Sequence, residues 1–465
     1  MIDKALGTST EPWGCRARVG IGAGRLLPYL SAGVVFFCAL AIPFNVILLS
    51  LSGQDLRLLD VMSLAVLPMA LWLTLQRVHL LISFVMLGIV FLLPSLVLAV
   101  ILLVYYDDFR DFVFPVRFLV AIVLCGALVP LLENTLHRTW FAIGMCLGCC
   151  LNIIPLVFER LGQHKIMVAL GLVPGQLALH PWDIELRPPG LHGHANATTA
   201  VVSLAIPAAA FMASSQRKWW LLPVAASALL VCIYYTETRS AAVISLATLS
   251  LAIAFSWRLV SILVLVLALT LGLLGLIVLG WSDGPLLSED FTRLDTAGEN
   301  LTERLATMVA GLRIMLEQPW GVGRTLGGGA VYNLTGVGGT TASNIVSIPM
   351  HNSFIWLGVS FGLVPAIFAV AGLVIAATHA GRIDAAGLRG LLAFHLLGLS
   401  LFEDHFQNAT FIALLMLLLG GWLAELLAGA RNEAVDVLGA NCRTPHPEAG
   451  MAGAPAWRGI TRSSP

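Results

Sequence analysis

Arg117, Arg187, Arg239 and His351 stand at the edges of long apolar runs, and their types and placement equip them for chemistry. A charged group at membrane depth costs about 2.5–3.5 kcal/mol on insertion scales, so a cation kept there needs an anion to answer it. The planar guanidinium fork holds a phosphate at two points. A histidine at a helix start is biased toward its neutral form, the form a general base requires. Together these residues imply a site for a multiply anionic, lipid-linked substrate, with arginines holding the charge and an imidazole taking a proton.

Three segments carry Arg187, Arg239 and His351, and Arg117 lies apart from them in Pro115-Val116-Arg117-Phe118. In Tyr234-Tyr235-Thr236-Glu237-Thr238-Arg239-Ser240, the arginine sits where a new helix begins. A helix N-terminus already bears positive partial charge, so a phosphate would satisfy both the guanidinium and the free backbone N–H groups. An interfacial arginine reaching lipid headgroups is the plainer reading. The second segment, Arg187-Pro188-Pro189-Gly190-Leu191-His192-Gly193-His194-Ala195-Asn196, is a loop stiffened by proline. His192 and His194 are spaced as some metal ligands are, but without an accompanying Cys or carboxylate cluster. We read His194 and Asn196 as polar support for a substrate. The third segment is Pro349-Met350-His351-Asn352-Ser353-Phe354, in which Asn352 would orient the histidine or bind a sugar hydroxyl. Glu403-Asp404-His405 reads as an ordinary solvated turn.

The elements that position these groups are membrane helices. Of 465 residues, 58% are hydrophobic and 11% charged, where a soluble domain averages about 25% charged residues. The formal net charge is zero, with 3 Lys and 23 Arg, so there is no basic field for nucleic acid. Apolar runs of about 20 residues are long enough to cross hydrocarbon. They predict an all-α polytopic membrane protein with twelve spans, at 28–50, 58–75, 80–104, 112–132, 139–158, 197–213, 219–235, 240–256, 259–281, 352–378, 388–402 and 409–428. Residues 1–27 read as a cytoplasmic tail, 28–281 as spans one to nine, 351–428 as spans ten to twelve, and 429–465 as a disordered tail. The stretch 166–175 is too short to cross and reads as interfacial or re-entrant. The CxxC of Cys146 and Cys149 lies inside an apolar helix, which favours packing over redox chemistry.

With the N-terminus inside, the short inner loops hold Arg77, Arg138, Arg217, Lys218, Arg258, Arg382 and Arg389 against Glu133 and Asp384, as the positive-inside rule requires. Arg187, Arg239, Arg304 and His351 then fall on the outer face, with Arg117 a few residues into the fourth span from that side. The segment 282–350 is long enough for a helical cap. Within it, 301–317 reads as an amphipathic helix with Leu301, Leu305, Met308, Leu312 and Met315 on one stripe, closed by Pro319. Arg304 and Arg313 border that stripe on opposite sides. The glycines from Gly321 to Gly339 lack a P-loop's GK[ST].

Several segments, in order, resemble the O-antigen ligase/polymerase superfamily. Pro115-Val116-Arg117-Phe118, Arg187…Gly190…His194-Ala195-Asn196, Thr238-Arg239-Ser240-Ala241, Arg304 followed by Gln318-Pro319-Trp320-Gly321-Val322-Gly323, and His351-Asn352 followed by Phe361-Gly362-Leu363 are similar to its motifs across roughly residues 110–375. Glu237-Thr238 and Trp320 depart from the commoner residues there. The resemblance implies a glycosyltransferase of the bacterial inner membrane, without cofactor or metal, active at the periplasmic face. Its donor would be an undecaprenyl-pyrophosphate-linked glycan. Its acceptor would be lipid A–core in a ligase, or a second lipid-linked glycan in a polymerase. His351, Arg239 and Arg187 would be catalytic; Arg117, Arg304, His194, Asn196 and Asn352 would bind substrate. A transporter or flippase of lipid-linked glycans is the alternative from another class.

Overall fold

The computed structural model describes residues 23–51, 54–106, 110–170, 172, 188–236, 238, 240–256, 307–323 and 352–441. They are mostly helical: α1 (Ala23–Ala41), α2 (Leu58–Leu75), α3 (Val78–Leu87), α4 (Leu93–Tyr106), α5 (Val113–Leu131), α6 (Thr135–Leu151), α7 (Ile153–Arg160), α8 (His164–Ala169), α9 (Ala195–Ser203), α10 (Ala205–Gln216), α11 (Leu221–Thr236), α12 (Ser240–Ser256), α13 (307–317), α14 (Ser353–Phe361), α15 (Leu363–Ala377), α16 (Ala385–Phe402) and α17 (Ala409–Asn441). Two compact units divide the chain, Met1–Ala424 and Glu425–Pro465, and the site lies in the first.

Among the described residues, seven helical stretches are long and apolar enough to cross a membrane, from Leu58–Leu75 to Ala409–Ala430. Four shorter apolar helices, Pro28–Ala41, Leu221–Thr236, Ser240–Ala254 and Leu363–Ala377, fall on further predicted spans. This is the architecture of a polytopic membrane protein. The predicted span 259–281 lies outside the described residues.

Three boundaries differ from the sequence reading. The first apolar run does not stay helical to residue 50. It leaves the helix at Ala41 and enters an antiparallel hairpin, β1 (Ile47–Leu51) with β2 (Gln54–Arg57). Apolar composition could not separate the two, because Ile47–Leu51 suits a strand as well as a helix. The tenth span is two helices, broken at Gly362, whose φ of 105° only glycine adopts readily. The last helix runs on to Asn441, beyond residue 429 where an unstructured tail was expected.

The helices meet through small residues. Gly144 and Gly148 of α6 face α1 so closely that a Cβ on either would lie 2.5 Å from the Phe36 or Leu40 carbonyl oxygen. Lipid offers no hydrophobic drive for helix association, so close backbone approach of this kind is what holds such pairs together. Cys146 and Cys149 lie on the neighbouring face of α6. They donate to the Ala205 and Val201 carbonyls at 3.6 and 3.2 Å, as expected of packing cysteines. The stretch Ala195–Gln216, 89% buried, runs through the middle of the bundle.

Polar contacts gather at two ends, with His395 bonded to Ser203 and Thr248 between them. One end holds the Arg77–Glu133 pair at 2.9 Å, the Arg382–Asp384 pair at 2.7 Å and Gln216 bound to Thr139. Arg389 was assigned to the loop at this end but is buried in α16, its side chain against Gly421. The other end gathers the last residues of α1, α7, α11 and α16 and the first residues of α5, α9, α12, α14 and α17, and there the candidate site lies.

Candidate functional site

The site is built on turns braced by hydrogen bonds from side chains to backbone groups. The loop 188–194 is hydrogen-bonded to the end of α7. Glu159 is fully buried and accepts from Gly190 N at 2.7 Å and from His164 Nδ1 at 2.9 Å. Thr198 donates to the Pro189 carbonyl at 2.6 Å, and Gly190 turns at φ 64° against that threonine. His192 has both ring nitrogens engaged, Nε2 with the Pro43 carbonyl at 3.1 Å and Nδ1 with Asn408 Nδ2 at 2.8 Å. A carbonyl only accepts, so Nε2 carries the proton and Nδ1 accepts from the amide. That leaves no lone pair for a metal, and the sequence-level option of a metal ligand at His192 gives way to a structural brace. Burial of the ring, then Arg57 nearby, pushes His192 down to about 3, which matches this neutral form.

At the end of that loop, exposed His194 caps α9, its Nδ1 accepting from Asn196 N at 3.3 Å. Asn196 then joins two other elements. Its Oδ1 accepts from Thr238 Oγ1 at 2.9 Å, and its Nδ2 donates to Glu403 Oε1 at 2.9 Å. Glu403 continues the chain through its backbone, the carbonyl accepting from Ser353 Oγ at 2.6 Å; that same hydroxyl oxygen accepts from His405 N at 2.8 Å. Asn352, beside Ser353, caps α14 by accepting from Phe354 N at 2.9 Å and Ile355 N at 3.1 Å, and donates to the Leu401 carbonyl. One hydrogen-bonded chain, Thr238–Asn196–Glu403–Ser353–His405, therefore links the starts of α9, α12 and α14 to the end of α16. Thr238 precedes Arg239 in sequence, and Asn352 follows His351.

Arg117, half-buried near the start of α5, donates to the Gln407 carbonyl at 2.6 Å and lies over the Phe114 ring, 5.5 Å from its centroid. It is thereby tied to the same 403–408 connection. Arg187, Arg239, Arg304 and His351 lie outside the described residues.

The 403–408 connection is where the sequence reading needs correction. Glu403 and His405 are buried, with 8% and 5% exposure, and are not an ordinary solvated turn. His405 stacks on Phe411 with ring centroids 4.7 Å apart, and burial lowers it to about 4. A carboxylate and an imidazole directly after an apolar span were the available signal, and a short polar connection between two spans masked it. Glu159, Thr238 and Ser353 gave no signal of their own, since the partners that tie them into the site, Gly190, Asn196 and the Glu403 carbonyl, are 31, 42 and 50 positions away.

The predicted amphipathic helix is described from residue 307. Met308 and Met315 face the bundle as expected, together with buried Ile314, whereas Leu312 is exposed. The inner stripe runs through Met308, Gly311, Ile314 and Met315 instead of through Leu312. Met315 packs against Gly358 of α14. Arg313 is exposed and paired with Glu317 at 2.7 Å. Beyond the helix, Val322 and Gly323 donate to the Val359 and Ser360 carbonyls at 2.8 and 3.0 Å, and Leu363 N donates back to Pro319 O at 2.8 Å. Pro319–Gly323 and Phe361-Gly362-Leu363 thus form one joint. A Cβ on Gly323 would lie 2.9 Å from the buried Asp111 carboxylate, which ties the joint to the start of α5.

Residues 224–371 match the family model described as O-antigen ligase. Over these residues the chain is similar to the O-antigen ligase family. The matched segment runs from α11 into α15 and takes in Thr238-Arg239, the joint at 319–323 and His351-Asn352 with Phe361-Gly362-Leu363. Arg117 and the loop 188–196 precede it in sequence, and Glu403 follows it; hydrogen bonds bring all three segments to it or to its partners. No curated protein matches the chain.

Proposed function

We propose that this protein transfers a glycan from undecaprenyl pyrophosphate to an acceptor sugar hydroxyl at the periplasmic face of the bacterial inner membrane, as an O-antigen ligase whose acceptor is lipid A–core. Arg187 and Arg239 hold the pyrophosphate, with Arg117 and Arg304 in support. His351 takes the proton of the attacking hydroxyl as the new glycosidic bond forms. The bond from the anomeric carbon to the pyrophosphate breaks, and its electron pair leaves with the phosphate. Charge grows on that leaving group, so cations fixed in advance stabilise the transition state more than the bound substrate. A single displacement inverts the anomeric centre. Guanidinium groups supply the positive charge, so the reaction as written draws on no metal and no nucleotide. Asn196, His194 and Asn352 hold the turns that present these groups.

The observation that supports this reading is the polar chain Thr238–Asn196–Glu403–Ser353. It joins Thr238 and Ser353 at one end of the bundle, and in the sequence Arg239 follows Thr238 and His351 lies two residues before Ser353. The test uses purified protein with a lipid-linked glycan donor and lipid A–core in detergent. Arg239→Ala and His351→Ala should abolish transfer, and Arg239→Lys should rescue poorly because an ammonium lacks the planar fork. Full transfer by all three variants defeats the proposal. Covalent transfer in detergent also separates an enzyme from a flippase. In a deletion strain, lipid A–core without O-chain and accumulation of lipid-linked polymer mark a ligase, whereas cores capped by single repeats mark a polymerase.

A further inference from the structure

His395 is fully buried within α16, a candidate membrane span, and the proposed reaction does not use it. Its Nε2 lies 2.9 Å from Ser203 Oγ at the end of α9, and its Nδ1 lies 2.9 Å from Thr248 Oγ1 in α12. Both hydroxyl residues are also fully buried. An ionisable side chain inside a membrane span is costly and is kept where it has work to do.

The hydrogen count describes what this cluster does. A neutral imidazole has one donor and one acceptor, and each hydroxyl has one proton. Thr248 Oγ1 also lies 2.8 Å from the Ile244 carbonyl, and Ser203 Oγ 2.7 Å from the Ala200 carbonyl. Whichever ring nitrogen carries the proton donates to one hydroxyl, which keeps its own helix carbonyl. The other hydroxyl turns its proton to the bare nitrogen. Both ring nitrogens are satisfied in either tautomer, so the ring clasps α9 and α12 to α16.

These are the three helices whose outer ends carry the site. Asn196 stands at the start of α9, Ser240 opens α12 directly after Arg239, and Glu403 follows α16. Counted along each helix at about 1.5 Å per residue, the clasp lies roughly 10–12 Å below the polar chain on all three. The helices are thus pinned at two levels, by His395 within the bundle and by Asn196–Glu403 at its end. Between these levels Gly398 of α16 packs on Ile244 of α12. Apolar packing in lipid resists sliding and rotation weakly, so two polar levels fix a tilt that one level leaves loose.

We propose that His395 is a positioning residue for glycan transfer: its clasp on Ser203 and Thr248 sets the rotation of α9, α12 and α16 and so the alignment of Asn196, Thr238 and Glu403 around the donor. The inference rests on the transferase reading above. Loss of the clasp shows in turnover, because an ångström of misplacement costs on the order of 100-fold in rate.

The test pairs kinetics with a distance that does not depend on activity. Nitroxides on keto amino acids at Val243 and Leu401, exposed positions near the outer ends of α12 and α16, leave the native cysteines in place. In the intact protein their separation should be single and narrow. His395→Leu should broaden or shift it and lower kcat by roughly 10- to 100-fold, with the donor KM within about threefold. His395→Gln, which keeps a donor and an acceptor, should recover part of both readouts. Thr248→Val should weaken both in the same sense, and adding it to His395→Leu should change nothing further, since both act through one ring. If His395→Leu fails to fold, His395→Gln and Thr248→Val carry the measurement. An unchanged distance and kcat in the folded variants overturns the clasp. A distance that responds, in a protein that transfers no glycan even when unmutated, overturns the transferase reading and the catalytic consequence with it.

Discussion

Glu403 offers the most direct test of the polar chain. Its carboxylate accepts from Asn196 Nδ2 at 2.9 Å, while its backbone carbonyl separately accepts from Ser353 Oγ. Glu403→Ala removes the first bond and spares the second. A hydrogen bond to a charged group contributes about 1.5–3 kcal/mol. Asn196 is half-buried, so water replaces part of what is lost and the lower end applies. About 1.5 kcal/mol is roughly a tenfold fall in kcat/KM, at 1.36 kcal/mol per factor of ten, provided the lost energy appears as misalignment of the Thr238 turn. Glu403→Gln keeps an acceptor and loses only the charge assistance, so its fall should be about two- to fivefold on the same scale. The assay is the initial rate of transfer with purified donor and acceptor, alongside the thermal midpoint of each variant. Glu403→Ala within twofold of the unmutated protein, in a preparation where Asn196→Ala is impaired, would refute the reasoning. Equal damage from Gln and Ala would show that the charge matters and the hydrogen bond does not.

Gly362→Ala forces a Cβ to within 2.7 Å of the Pro319 carbonyl at a φ of 105°, so about 1–3 kcal/mol should be lost; the thermal midpoint should drop, and transfer with it. His405 is held near pKa 4 by burial, below the unfolded value of about 6.5. Between those two values the unfolded chain binds the extra proton, so stability is full above pH 6.5 and falls as the pH drops toward 4. The loss should reach roughly 2 kcal/mol at pH 5, and thermal midpoints of His405→Gln should show a flatter pH dependence than those of the unmutated protein. Arg77→Ala breaks an exposed ion pair at the far end, with side chains 39% and 57% exposed, which stabilises by at most about 1 kcal/mol. Transfer by that variant should stay within twofold, measured in the same assay.

Most of the membrane architecture was legible in the sequence, because in lipid a helix must satisfy its own backbone and so declares itself by length and composition. The spans over Leu58–Leu75 and Val113–Leu131 emerged close to their predicted limits. Composition failed where two structures share one composition, as at Ile47–Leu51, or where a single backbone angle decides, as at Gly362. Residue types alone marked Arg117, His194, Asn196 and Asn352 as site residues, but not what they hold. That Asn352 uses its carbonyl oxygen as a helix cap, that Glu403 is buried against Asn196, and that His395 joins three helices follow from contacts between residues far apart in sequence. Such partners are chosen by how helices pack, which the chain encodes only collectively. The sequence determined that cations and an imidazole stand at the ends of apolar helices; the tertiary structure decided which turns share one end and which buried groups hold them there.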